Sequence, residues 1–364
     1  MAIASARSFV FCAPVWLSPL VVPIGTGEQR GVTDGAHAKE WMVHGGRLDA
    51  AIGAFGGAPS AWLDLSTGIN PNPWPGAASI AVDWRALPSD DALAGLERAA
   101  AEHFGVSPDH VCALPGSEIG IRMLGRLGLG ADAAHVAPAY RSHEAALEGA
   151  VPIAIDAVAA ARAGGRTVLL ANPNNPDGRL LPRAVLRDAA DAGAGWLIVD
   201  EAFADLHPDE SVAADVADHR RLLVLRSFGK FFGLAGLRLG FAIAPRPIVA
   251  ALRALLGAWP VSSAAIAIGT AAYRDHGWIA ATRARLRVDA HAFDAMLARH
   301  GLVATGDCPL FRLVSHDDAA ALFDRLARHH ILCRPFDYAP RWLRFGLPED
   351  AAARDRIDAV LAHG

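Results

Sequence analysis

The sequence predicts an α/β protein with a mostly parallel sheet in a large domain, followed by a smaller α+β domain. From about residue 85, short apolar runs alternate with Ala-rich amphipathic stretches, a spacing typical of βαβ units whose sheet is covered on both faces. After residue 248 the pattern changes to longer Ala/Leu/Arg helices and a few short strands. Polar and glycine-containing segments directly follow the apolar runs, and ligands of open parallel sheets bind at that edge.

Each apolar run can be placed on an element. The large-domain strands are predicted at Val111–Leu114, His135–Ala137, Thr167–Ala171, Trp196–Val199, Leu222–Leu225 and Leu239–Ile243, and its helices at Leu93–Phe104, Ile119–Leu127 and Arg183–Ala192. The smaller domain is predicted to contain helices Ile248–Leu256, Ala264–Ala272 and Trp278–Arg299 and strands Leu310–Val314, Ile331–Arg334 and Trp342–Phe345. The expected division is 1–40 extension, 41–84 N-terminal arm, 85–247 large domain and 248–364 small domain.

Composition excludes several classes of function. The 364 residues are 52% hydrophobic and 20% charged, which predicts a packed globular protein. The net charge of -4 argues against a nucleic-acid-binding surface, which would be basic. The four cysteines are far apart and form no C-x-x-C pair, so neither a zinc site nor a disulfide framework is predicted. A reducing, cytoplasmic location is the simplest interpretation.

The N-terminal segment has three interpretations. Phe9–Ile24 is apolar and follows Arg7, as in a signal peptide. It also contains three prolines and is too short to span a bilayer as a helix. We therefore expect residues 1–40 to be a disordered or non-native extension, with a targeting segment or an ordered arm as alternatives. Met42 is a candidate for the biological start.

The segment Ser227–Gly240 carries the strongest chemical signal. Lys230 directly follows a predicted strand, glycines recur after it, and Arg238 stands eight residues further on. A surface lysine before a flexible loop is the alternative, but such a loop rarely needs glycines and an arginine at this spacing. A partly desolvated lysine amine has a depressed pKa and can form an imine with an aldehyde. The serine and arginine can hold a phosphate by charge-assisted hydrogen bonds.

This segment resembles the S-x-x-K-x-x-G-x-x-G-x-R signature of the class I/II aminotransferases, which are fold-type I pyridoxal-phosphate (PLP) enzymes. The resemblance extends from about His44 to the C-terminus. It implies a mostly parallel seven-stranded sheet, a smaller C-terminal domain, PLP as cofactor, a homodimer and no membrane partner. Lys230 would hold PLP as a Schiff base.

The resemblance also assigns cofactor contacts. Asn175 in Asn172–Gly178 would bond the 3-hydroxyl oxygen of PLP, and Asp200 in Val199–Phe203 would pair with the pyridine nitrogen. The remaining cofactor-binding residues would be Gly116, Ser117 and Glu118 through their backbone, Tyr140 by stacking, and Ser227 and Arg238 at the phosphate. Without the segment around Lys230, Asp200 would be read as an ordinary strand end and Tyr140 as a core or rim residue.

Further segments resemble the branch of this family that decarboxylates L-threonine O-3-phosphate in cobalamin biosynthesis. They are His44-Gly45-Gly46, Trp62–Ser66 and the Gly68–Pro71 segment with Asn70. By this resemblance the substrate-binding residues would be His44, Gly45, Gly46, Asn70, Asn175, Arg334 and Arg344. Arg344 would bind the substrate carboxylate, and Arg334 and the His44 segment the phosphate.

One position departs from that branch. Gly68 stands where the branch has asparagine, so one substrate contact is missing or supplied otherwise. Replacing Gly68 with asparagine is expected to restore the contact if the backbone permits it. The implied reaction is decarboxylation of a phosphorylated amino acid, with Lys230 returning a proton to Cα. An aminotransferase acting on histidinol phosphate, and a non-catalytic partner in corrinoid side-chain attachment, remain the alternatives.

Overall fold

The structure is a computed structural model, and it describes residues 40–43, 45–130 and 132–363. The strands are β1 (Leu63–Asp64), β2 (Val111–Leu114), β3 (Ala133–Val136), β4 (Val151–Ile153), β5 (Thr167–Ala171), β6 (Leu197–Asp200), β7 (Leu222–Ser227), β8 (Gly240–Ile243), β9 (Ala304–Thr305), β10 (Phe311–Ser315), β11 (Ile331–Leu332), β12 (Arg334–Pro335) and β13 (Trp342–Gly346). The helices are α1 (Glu40–Val43), α2 (Leu48–Phe55), α3 (Asp90–Phe104), α4 (Ser117–Met123), α5 (Val158–Ala163), α6 (Arg183–Asp191), α7 (Phe228–Phe231), α8 (Arg246–Leu256), α9 (Ser263–Arg274), α10 (His276–Arg299), α11 (Ala319–Arg328) and α12 (Ala351–Ala362).

The large sheet confirms the predicted fold class. Its seven strands lie in the order β2-β8-β7-β6-β5-β3-β4. All pairs are parallel except those of β8, which is antiparallel to both β2 and β7. Every residue of β2, β3, β5, β6 and β8 is buried, as expected for a sheet covered on both faces. Because both faces of these strands are buried, their sequences are continuous apolar runs and do not alternate between apolar and polar residues.

The predicted strands and helices are present, and most of their ends lie within three residues of the predicted ones. The predicted helix Ile119–Leu127 ends as an α-helix at Met123 and continues as a 3₁₀ turn to Arg126. Three of the described strands, β1, β4 and β9, were missed. β1 and β9 have only two residues each. β4 is an edge strand with an exposed start and Pro152 at its centre, so it carries no apolar run. One prediction was wrong: Ile331–Arg334 is not a single strand. Ile331–Leu332 pairs with β1, whereas Arg334–Pro335 pairs with β13, so the chain changes sheets at Cys333.

The C-terminal strands form a second sheet in the order β12-β13-β10-β9. The segment that follows β1, residues 65–72, is called the strap here, and it runs beside this sheet. Leu65 donates its N–H to Leu332 O at 2.7 Å and accepts from Gly346 N at 2.6 Å, and Asn70 N donates to Lys230 O at 2.9 Å. These bonds hold the strap between the second sheet and the lysine-bearing helix α7. In the described part of the chain, no helix is long and apolar enough to cross a membrane.

Candidate active site

A cavity of about 220 Å³ opens at the carboxyl ends of β5, β6 and β7. Its lining includes the predicted site residues Gly45, Gly116, Ser117, Glu118, Tyr140, Asn175, Asp200, Ser227, Lys230, Arg238, Arg334 and Arg344. The cavity therefore lies where an open α/β sheet places its ligands. Residues far apart in sequence converge here because parallel strands end at one edge.

Lys230 lies in the four-residue helix α7, directly after β7. Burial lowers the pKa of its ammonium to about 8, and the positive charges of Arg344, Arg238 and Arg334 act in the same direction, while Asp200 opposes them. A lysine with this pKa has a substantial neutral fraction near neutral pH, which is the form that attacks an aldehyde. The whole sequence contains just one other lysine, Lys39, so covalent capture at Lys230 is simple to test.

Asp200 ends β6 and is only 4% exposed. Its Oδ2 lies 3.0 Å from His143 Nε2, and its Oδ1 accepts from Ala202 N at 3.1 Å. With Asp200 ionised, His143 Nε2 is the donor. Sequence reasoning missed His143, which follows Tyr140 in a short 3₁₀ turn. The available signal was its position three residues after the aromatic segment, and that spacing alone predicts no contact across the sheet.

Asn175 and Arg344 connect the two ends of the cavity. Arg344 Nη1 donates to Asn175 Oδ1 at 2.5 Å, and Nη2 donates to Ser66 O at 2.8 Å. Because the amide oxygen of Asn175 already accepts from Arg344, its Nδ2 remains the group that can donate to a ligand. Among described residues, Arg344 Nε has no hydrogen-bond partner. Burial, followed by the charge of Arg334, lowers the pKa of Arg344 to about 9.

Arg334 and Arg344 are directly opposite each other in the antiparallel pair β12–β13. Both are buried and both line the cavity. The guanidinium of Arg334 also lies 5.0 Å from the ring centroid of Phe336, and burial lowers its pKa. Like charges directly opposite in a sheet are destabilising. Two such cations on one wall of a cavity are therefore suited to an anionic ligand.

At the opposite end of the cavity, the guanidinium of Arg238 lies close to the backbone at Gly116. Gly116 has φ +93°, and a Cβ there would lie 2.8 Å from Arg238 Nη2. Arg238 itself adopts the left-handed region, with φ 53°, which is uncommon for a residue with a side chain and is concentrated at functional sites. A Cβ at Gly240 would lie 2.4 Å from Ser117 N. The positive φ favours glycine at Gly116, and the close approach of the Ser117 backbone requires it at Gly240. Together they leave a cradle suited to a phosphate.

These features fit PLP at three points. The cradle fits the phosphate, the half-buried lysine with its lowered pKa fits the aldehyde, and the buried carboxylate of Asp200 fits the pyridine nitrogen. Glu118 uses its side chain elsewhere: its Oε1 accepts from Ser142 Oγ at 2.9 Å and from Arg122 Nε at 2.8 Å. That arrangement agrees with a backbone role for Glu118 at the cofactor.

Two predicted substrate residues, Gly46 and Asn70, are not part of the cavity lining. Asn70 is buried and its amide holds the strap, donating to Phe231 O at 2.8 Å and accepting from Asn72 N at 3.1 Å. Gly46 donates its N–H to Ser66 Oγ at 2.8 Å, so it fixes the strap from the other side. His44 lies outside the described residues.

Comparison with known proteins gives the family. The model of the family "Aminotransferase class I and II" matches residues 78–358.

The chain belongs to this family.

The family is PLP-dependent. The chain is 42% identical to a threonine-phosphate decarboxylase of Sinorhizobium sp, over 88% of this chain and 98% of the relative. It is 39% identical to a threonine-phosphate decarboxylase of Pseudomonas aeruginosa, over 88% and 97%. Its fold is similar to that of a histidinol-phosphate aminotransferase from Sinorhizobium meliloti in complex with pyridoxal-5'-phosphate, with a TM-score of 0.71, 22% identity, and 82% and 90% coverage.

Proposed function

We propose that this class I/II aminotransferase-family enzyme is a PLP-dependent lyase that decarboxylates L-threonine O-3-phosphate to (R)-1-aminopropan-2-yl phosphate, for cobalamin biosynthesis. The observation that carries the proposal is the pair Arg334 and Arg344, two buried cations opposite each other on the wall of a cavity that also contains the half-buried Lys230. The substrate has two anionic groups beside its amine. Two relatives that this chain matches over nearly their whole length are named threonine-phosphate decarboxylase, which supports the same substrate.

In this proposal PLP supplies an electron sink for bond cleavage at the substrate Cα. Lys230 would hold the aldehyde carbon. Asp200, oriented by His143, would keep the pyridine nitrogen protonated, because a buried carboxylate favours the cationic form of its partner. Asn175 Nδ2 would donate to the 3-hydroxyl oxygen. The ring of Tyr140 would stack on the pyridine, and the phosphate would lie against Gly116, Ser117, Ser227 and Arg238.

The arginines select which bond breaks. The bound cofactor would labilise the Cα bond that the substrate presents to it, so the anchoring of the substrate would decide between C–COO⁻ and C–H. We assign the carboxylate to Arg344 and the phosphate to Arg334. Each hydrogen bond to a charged group contributes about 1.5–3 kcal/mol, so two anchors can favour one rotamer by orders of magnitude. This is catalysis by orientation.

Lys230 is the group that we expect to return a proton. Once the carboxylate has left, Cα must be protonated, and the pKa of about 8 lets the Lys230 ammonium hold a proton near neutral pH and release it readily. One side chain would thus serve both to capture the cofactor and to deliver a proton.

Product analysis tests the proposal. Purified protein with PLP and L-threonine O-3-phosphate should release CO₂ and the amine product in equal amounts without any added 2-oxo acid. L-Threonine in place of its phosphate is the matched control and should react far more slowly. Amine transfer from histidinol phosphate to 2-oxoglutarate, without CO₂ release, would instead indicate an aminotransferase. PLP binding without turnover of either substrate would indicate a non-catalytic partner.

We also propose a homodimer, supported by exposed apolar side chains in two neighbouring segments, residues 84–87 and 259–263. Trp84 and Leu87 are 81% and 64% exposed, and Trp259 is 57% exposed. The Ser263 hydroxyl donates to Ala86 O at 3.4 Å, which places the two segments side by side. Exposed apolar clusters of this kind mark contact surfaces. Sedimentation should show a dimer for the wild type and a shift toward monomer for Trp84→Glu with Trp259→Glu; an unchanged mass would remove this surface as the interface.

A further inference from the structure

Gly68 lines the cavity at a point where a side chain has no room. A Cβ at this position would lie 2.9 Å from Phe311 Cδ1 and 3.0 Å from Phe203 Cε1. The two rings are buried and pack edge to face, with centroids 5.0 Å apart. Close-packed aromatic rings cannot retreat from a new atom without moving their neighbours. The expectation that asparagine at residue 68 restores a contact is therefore not supported by this geometry.

The backbone cannot retreat either, because it is fixed on both sides of Gly68. On one side Leu65 donates to Leu332 O and accepts from Gly346 N. On the other side Asn70 donates to a carbonyl of helix α7. A side chain added at residue 68 must consequently displace one of the two rings.

Phe311 is the ring whose displacement would reach the substrate. Its centroid lies 5.1 Å from the guanidinium carbon of Arg344, a stacking contact that favours one plane of the guanidinium. Phe311 does not itself line the cavity. Its partner Phe203 lies with its ring centroid 5.9 Å from Lys230 Nζ. The ring pair thus lies against both Arg344 and Lys230.

We propose that Phe311 is a positioning residue for the substrate carboxylate, and that its ring takes the volume that a side chain at residue 68 would fill. The inference rests on the proposed function, because it uses Arg344 as the carboxylate anchor. The ring holds the plane of Arg344 from behind, while Asn175 and Ser66 hold two of its nitrogens. Glycine at residue 68 and phenylalanine at residue 311 are a matched pair.

A double-mutant cycle of Gly68→Ala and Phe311→Leu tests the match. Gly68→Ala should raise KM for threonine phosphate about tenfold, the effect of an overpacking cost near 1.4 kcal/mol, with a much smaller change in kcat. Adding Phe311→Leu should bring KM back toward that of Phe311→Leu alone. Gly53→Ala is the control, because a Cβ at that helix position has no atom within 4 Å, and it should leave KM and Tm no worse than wild type.

Three results would overturn the proposal. The first is a Gly68→Ala protein whose KM matches that of Gly53→Ala. The second is a double variant whose KM does not return toward that of Phe311→Leu. The third is a Gly68→Ala protein whose kcat falls by the same factor as its KM rises. If Gly68→Ala does not fold, Phe311→Leu alone decides: we expect a rise in KM of several-fold with kcat nearly retained, and an unchanged KM contradicts the role. Tm values give the same cycle without substrate. If the double variant regains Tm but the wild type does not decarboxylate threonine phosphate, the steric match between residues 68 and 311 stands and the carboxylate role of Phe311 is removed.

Discussion

The cofactor half and the substrate half of the cavity are built in different ways. In the cofactor half, the neighbouring strands β5, β6 and β7 each lead into one reactive group, namely Asn175, Asp200 and Lys230. In the substrate half, cross-strand pairing and a ring contact within the second sheet bring together Arg334, Arg344 and Phe311. The first half depends on where strands end, and the second depends on which residues the tertiary structure brings into register.

The largest effect should come from the cofactor half, with Lys230→Ala. Turnover should fall at least about a thousandfold, and borohydride reduction of the PLP-loaded protein should no longer leave a stable cofactor adduct. Mass spectrometry of the reduced protein measures the adduct directly. Lys39→Ala is the matched control, since the sequence has no third lysine, and it should keep the adduct. An adduct that survives Lys230→Ala would show that Lys230 is not the residue that binds the cofactor covalently.

Asp200→Asn should have the next largest effect, about 10²–10³-fold on kcat, with the fold and most PLP binding retained. The amide has nearly the same volume but cannot stabilise a cationic ring nitrogen. His143→Gln should cost less, because it removes only the group that orients the carboxylate. Parallel kcat and PLP-binding measurements separate the two. A near-normal kcat for Asp200→Asn would leave this residue as a structural strand end.

Substitutions in the substrate half should change the preference of the enzyme for threonine phosphate over threonine. Arg334→Ala should lose about 1.5–3 kcal/mol of preference for threonine phosphate over threonine, whereas Arg344→Ala should weaken both substrates. Comparing kcat/KM on the two substrates measures this directly. Arg341→Ala, which removes an exposed arginine paired with Asp317, is the control and should change neither. Equal losses on both substrates for Arg334→Ala would take the phosphate role from this residue.

A smaller effect should appear in pH dependence. Only neutral Lys230 captures PLP, and its pKa is lowered to about 8. Below that pH the capture rate of the apo protein should therefore rise about tenfold per pH unit, and it should level off above it. Stopped-flow absorbance of the cofactor follows the rate. A midpoint close to the ordinary lysine pKa would show that burial and the three arginines do not act on Lys230 as the structure indicates.

The smallest effect should come from outside both halves. Deleting residues 1–38 should leave kcat/KM and Tm nearly unchanged, because the sequence of this segment has no amphipathic period and contains breaking prolines. These residues lie outside the described part of the chain. Clearly earlier melting, or loss of the dimer, would show that the segment is an ordered arm.

The contrast also explains what the sequence could predict. Lys230, Asp200 and Asn175 each follow an apolar run, so local pattern and resemblance placed them correctly at one edge. His143 was missed because its partner Asp200 is 57 positions away and no local pattern links them. Asn70 was placed in the site by resemblance, yet its amide is used by Phe231 O, a contact that only the folded strap reveals.

The second sheet shows the same limit. The apolar run Ile331–Arg334 correctly predicted extended chain, but not its division between two partner strands. That division brings Arg334 opposite Arg344. Likewise, the sequence showed the departure at Gly68 but not its cause, because Phe203 and Phe311 are 135 and 243 positions further along the chain.

Decarboxylation in heavy water tests the central claim most directly, namely that the two arginines direct cleavage to C–COO⁻ and not to C–H. With threonine phosphate and PLP in D₂O, the amine product should carry one deuterium on the carbon that lost CO₂, and recovered substrate should retain its Cα hydrogen. Mass spectrometry and proton NMR of both molecules report the outcome. Recovered substrate that has exchanged its Cα hydrogen without matching CO₂ release would contradict the account, because it would show that the site presents C–H for cleavage.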